Sequence, residues 1–102
     1  MKNLLATIAL CAFTTPAIAA PDANAVCTQI GELAESIMDA RQRGISPSAI
    51  LNATKDFPVA PYMVTDAFEV SRWYSEALQT REAQDFRAIW EMKCYANVGE
   101  SV

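Results

Sequence analysis

Histidine is absent from this 102-residue chain, glycine occurs only three times, and no apolar run reaches the length of a membrane span. Each absence removes a class of chemistry. Without an imidazole, Ser-His-Asp and Cys-His catalysis have no general base, and zinc sites of the H-E-x-x-H or mixed cysteine–histidine type have no ligands. The glycines at 31, 44 and 99 form neither G-x-x-x-x-G-K-[ST] nor G-x-G-x-x-G, so no loop is built to cradle a phosphate. No cofactor and no metal are expected. Alternating β-branched runs and Asn-Gly turns are also missing, which removes strands and hairpins. Basic residues are few, 8 against 12 acidic, for a net charge of −4. Nucleic-acid binding needs a basic face to neutralise phosphates, and docking on anionic lipid needs one too.

What is present begins with "MKNLLATIALCAFTTPAIAA". Lys2 supplies a positive start, Leu4 to Phe13 an apolar run of about ten residues, and Ala17-Ile18-Ala19 an A-x-A site. These are the parts of a secretory signal peptide, and the run is half of the roughly 20 residues that a span requires. A leader over 1–19 with cleavage after Ala19 is expected. Cys11 would leave with it, because Leu10, not a small residue, precedes that cysteine. Residues 20–102 then form a single domain of 83 residues, in which 7 basic residues face 12 acidic ones. A domain this small commonly needs a staple.

Two cysteines remain, Cys27 and Cys94. In an oxidising compartment two thiols in a small domain pair, and nothing resembling C-x-x-C points to a redox couple. A Cys27–Cys94 disulfide is expected. The predicted address is the periplasm, reached through the inner membrane.

Helical periodicity accounts for the rest. "DANAVCTQIGELAESIMDARQRG" reads as an amphipathic helix with Val26, Ile30, Leu33 and Ile37 on its stripe, flanked by Cys27, Ala34 and Met38. Asp22 or Asn24 can cap its start, Gly44 can take the left-handed position at its end, and Gly31 can admit a close neighbour. Ser46-Pro47 opens a short second helix that can bury Ile50, Leu51 and Ala53. Pro58 and Pro61 interrupt the pattern, after which "PYMVTDAFEV" forms a third helix with Met63, Val64, Ala67 and Phe68 inward. Ser75 caps a last helix running to about Ala96, with Leu78, Ala83, Phe86, Ile89, Trp90 and Cys94 on one broad face, and "NVGESV" is expected to fray. The fold class is all-α, a bundle of three to four helices in which the first and last run antiparallel and are closed by one disulfide.

"CTQIGELAESIMDARQRGIS" and "AFEVSRWYSEALQTREAQDFRAIWEMKCY" resemble a group of small exported proteins of gram-negative bacteria and their phages or prophages. The shared pattern is a cysteine, L-A, I-M, R-Q-x-G-x-S, an S-R-W-Y segment and F-x7-C. The resemblance implies export and a helical fold and carries over no catalytic residue. In architecture alone, as a small helical body closed by one disulfide, the chain is also similar to acid-stress periplasmic chaperones of the HdeA type.

Three groups of residues are candidates for function. Glu32, Glu35 and Asp39 line one side of the first helix, either as an acidic strip that plugs a basic cleft or as a solvated face with Asp39 paired to Arg43. Arg72, Trp73, Tyr74 and Tyr62 form an aromatic cluster of the kind that dominates interface energetics. The other reading of that cluster is a plug at the end of the bundle, with Arg72 stacked on a ring. Glu82 and Asp85 share a helical face and do not oppose each other across a cleft, so carboxylate catalysis is not expected. The leading expectation is a non-enzymatic periplasmic protein that occludes another envelope protein, such as a cell-wall hydrolase or a toxin. The alternative is an acid-stress chaperone.

Overall fold

The computed structural model describes residues 22 to 101; the expected leader, its cleavage site and Cys11 lie outside them. Four helices follow one another: α1 Ala23–Gln42, α2 Pro47–Ala53, α3 Ala60–Phe68 and α4 Glu76–Ser101. No strand occurs among the described residues. The fold is all-α and carries the Cys27–Cys94 disulfide, with Cα atoms 5.5 Å apart.

The helix boundaries follow from local chemistry. Asp22 accepts from the Asn24 N–H at 3.4 Å at the start of α1. At its end the Gly44 N–H donates to the Arg41 carbonyl and the Ile45 N–H to that of Ala40, each at 3.0 Å. With Gly44 at φ +86°, this is the Schellman arrangement, which only glycine adopts without steric cost. Ser46 caps α2 by accepting from the Ala49 N–H at 3.3 Å, with Pro47 in the first turn, where no N–H is needed. Ser75 caps α4, its hydroxyl accepting from the Leu78 N–H at 3.1 Å. α4 continues through Ser101, so residues 97–101 of the tail expected to fray are helical backbone, and Val102 lies outside the described residues.

α1 and α4 form an antiparallel hairpin. The disulfide joins the start of α1 to the last turns of α4, and the Tyr95 hydroxyl donates to Asn24 at 2.8 Å beside it. Gly31 lets the helices close up midway: a Cβ there would stand 2.5 Å from Cγ of Glu91. α2 and α3 fold back against α1 and against each other. The core is Ala34, Ile37 and Met38 of α1, Ile50 of α2, Ala60, Met63, Val64 and Ala67 of α3, and Ala83 and Phe86 of α4. Phe86 and Trp90 meet at a tilt, with ring centroids 6.3 Å apart.

The inward faces are rotated from those expected. On α1 the flanking residues Cys27, Ala34 and Met38 are the deepest, while Val26, Ile30 and Leu33 are half-buried. On α2 only Ile50 is buried, and Leu51 and Ala53 are exposed. On α4, Leu78 and Ile89 face outward, and Trp90 and Cys94 are half-buried. The reason is that apolar residues occur all around α4, so periodicity alone singles out no one face. Ala83 and Phe86 enter the core, Trp90 packs at its edge, Cys94 is bonded to Cys27 of α1, and Leu78 and Ile89 are left to solvent.

Candidate interaction surface

The segment between α3 and α4 carries three of the aromatic-cluster candidates, and α1 fixes its path. Gln42, fully buried, is the centre of that attachment. Its Nε2 donates to the Ser71 carbonyl and its Oε1 accepts from the Trp73 N–H, both at 2.8 Å. One side-chain amide thus pairs with a peptide segment as a strand would. Arg41 donates to the Val70 carbonyl through Nε and Nη2, with its guanidinium 4.6 Å from the Phe68 ring centroid. Arg72 reaches back in the other direction: Nε donates to the Gln42 carbonyl at 3.1 Å, and the guanidinium lies over Gly44. Arg72 therefore caps the end of α1 and covers a glycine, where stacking on a ring was one expectation.

The aromatic residues themselves face outward. Tyr74 is fully exposed, Tyr62 is 70 % exposed and Trp73 is 42 % exposed. Plugging the bundle end, the other reading of this cluster, does not describe them.

The acidic residues lie along a furrow beside α1. Its central part, about 280 Å³, is lined by Glu32, Glu35, Ser36, Asp39 and Arg87. One end continues over Gln29, Leu33 and Phe57, and the other over Arg43, Tyr74, Glu76 and Gln79. Four of the candidates, Glu32, Glu35, Asp39 and Tyr74, therefore line adjoining hollows that meet at Glu32, Ser36 and Asp39. Trp73 and Tyr62 do not line it.

The strip is less acidic than its sequence. Asp39 accepts from Arg43 at 2.9 Å, the pairing weighed as the solvated-face reading. Arg87 of α4 donates to Glu35 at 2.9 Å and to Glu91 at 3.0 Å, which bridges the two long helices. The Glu35 carboxylate first, and that of Glu91 next, holds the Arg87 guanidinium above its ordinary pKa. Glu32 and Glu76 make no ion pair among the described residues.

Two residues that organise this surface were not singled out in the sequence, Gln42 and Arg87. Gln42 had a visible signal. It stands four after Met38 and eight after Ala34, so it continues the buried stripe with a polar side chain. Arg87 had none, because its partner Glu35 lies 52 positions away.

No cluster of potential metal ligands occurs among the described residues. No helix among them is long and apolar enough to cross a membrane. No protein-family model matches the chain, and no curated protein or solved structure matches it either.

Proposed function

We propose that this is a non-catalytic periplasmic protein that binds another envelope protein and occludes it, a cell-wall hydrolase or a toxin being the kind of target meant. The observation that carries the reading is the row of adjoining hollows along α1, with an exposed aromatic ring at each end, Phe57 and Tyr74, and with Glu32 and Glu76, which make no ion pair among the described residues, between and beside them. Aromatic anchors on a rigid support supply contact area at little entropic cost, and free carboxylates steer a basic partner. The support is rigid here because Gln42 and the disulfide hold the two ends of the α1–α4 hairpin. The periplasmic address rests on the leader-like first 19 residues, on the paired cysteines and on the resemblance to small exported proteins.

The test is capture from periplasmic extract on the immobilised protein, followed by assay of whatever enzyme is retained. Retention of a defined hydrolase or toxin, its stoichiometric inhibition, and loss of both on Tyr74→Ala or Glu32→Lys are expected. Equal retention by these variants, or an unaffected target activity, argues against occlusion through the furrow.

The acid-stress chaperone is supported by a different observation. The ion pairs Glu35–Arg87 and Asp66–Lys93 tie α1 and α3 to α4, and protonation in acid removes them while the disulfide persists. Protection of a client from aggregation at about pH 2–3 is the discriminating measurement. A chain that stays compact there and protects nothing ends that reading.

A further inference from the structure

α4 carries a second stripe that the bundle does not use. Leu78, Arg81, Asp85, Ala88 and Met92 follow steps of three, four, three and four, the heptad spacing of a helix–helix seam. All are exposed, as is Ile89 beside them, with Leu78 at 43 %, Ile89 at 51 % and Met92 at 72 %. By helical spacing the stripe lies on the far side of α4 from Glu76, Gln79, Thr80 and Arg87, the residues that α4 gives to the furrow.

We propose that this stripe is the interface through which a second copy of the chain packs, α4 against α4, antiparallel about a two-fold axis. The charges argue for this occupant and this orientation. Arg81 and Asp85 are one turn apart, yet neither makes an ion pair among the described residues. Within a helix the basic-before-acidic order is the weaker one at this spacing. A parallel pair would set Arg81 against Arg81 and Asp85 against Asp85. The antiparallel register that layers Leu78 on Ala88 sets Arg81 of each copy against Asp85 of the other. Two-fold symmetry makes that contact twice. Sliding the copies by one heptad would place Asp85 on Ala88 and Arg81 on Met92, which strands both charges against apolar neighbours. In the chosen register Met92 covers the chain just ahead of the other copy's α4.

The experiment is sedimentation equilibrium on the disulfide-closed protein, with circular dichroism to check that each variant keeps its helices. Wild type should dimerise reversibly. Arg81→Glu and Asp85→Arg, each alone, place like charges together and should weaken the dimer by at least about tenfold. Mixing the two variants creates two opposite-charge pairs and should restore dimer, now as a heterodimer. A wild type monomeric to about 1 mM overturns the proposal, as do single variants that dimerise like wild type. Folded variants whose mixture pairs no better than either alone overturn it as well.

Discussion

The side chain of Gln42 holds the peptide N–H of Trp73 at 2.8 Å from the far end of the helix hairpin, 31 positions away in the chain. Its other terminus donates to Ser71, so this one buried residue fixes where the aromatic segment runs. Gln42→Leu keeps the volume but leaves the Ser71 carbonyl and the Trp73 N–H without partners. A loss of about 1–3 kcal/mol is expected in urea unfolding, with faster hydrogen exchange at the Trp73 amide. Unchanged exchange there would show that the segment holds itself.

Gly44 and Gly31 should respond differently to alanine. At Gly44 the left-handed backbone is the obstacle, and Arg72 lies over the position, so Gly44→Ala should cost about 1–2 kcal/mol. At Gly31 the backbone is ordinary helix and the obstacle is the Glu91 side chain. Gly31→Ala should therefore destabilise wild type. In a Glu91→Ala background it should instead stabilise by about 1 kcal/mol, the helix-propensity gain. The sign change, read by thermal melts of the four proteins, is the result that matters.

Removal of the disulfide by Cys27→Ala with Cys94→Ala should cost about 4 kcal/mol, since the linked positions are 67 apart. Reductant should lower the melting temperature of wild type and leave that of the double variant unchanged.

Arg87 pairs with carboxylates on two helices, and Arg87→Met should lower the melting temperature by an amount that shrinks as salt is raised. Because these partners raise the guanidinium pKa, the stabilisation is fully present from neutral pH up to the unfolded-state value, and on the alkaline side it fades as pH rises through the higher folded-state one. The difference between Arg87→Met and wild type should thus be flat from about pH 7 to 10. A decline within that window would mean that another group carries the effect.

The parts of this fold legible in the sequence are those fixed by a few neighbouring atoms. Ser46-Pro47, Ser75, Gly44 and the close approach at Gly31 were each readable, because caps, left-handed turns and missing Cβ atoms act within a residue or two. The Cys27–Cys94 pairing was readable by elimination, with two cysteines left after the expected leader. The inward face of α4 was legible in part: Ala83, Phe86, Trp90 and Cys94 turn inward as expected, but Leu78 and Ile89 do not, because they are as apolar as the residues that pack. Only the position of α1 decides which of them are covered. The candidate site divides in the same way. Tyr74 and the acidic strip were visible as residue types, whereas their union in one furrow depends on Arg87 and Gln42 bridging positions far apart in sequence.

The hairpin of long helices is joined by sulfur at one end, while every connecting segment lies between residues 43 and 75. A protease that cuts once anywhere in that stretch produces two pieces that cannot drift apart. In a space rich in hydrolytic enzymes, a nicked molecule would keep its two main helices side by side, and the damage would show on a gel only after the sample is reduced.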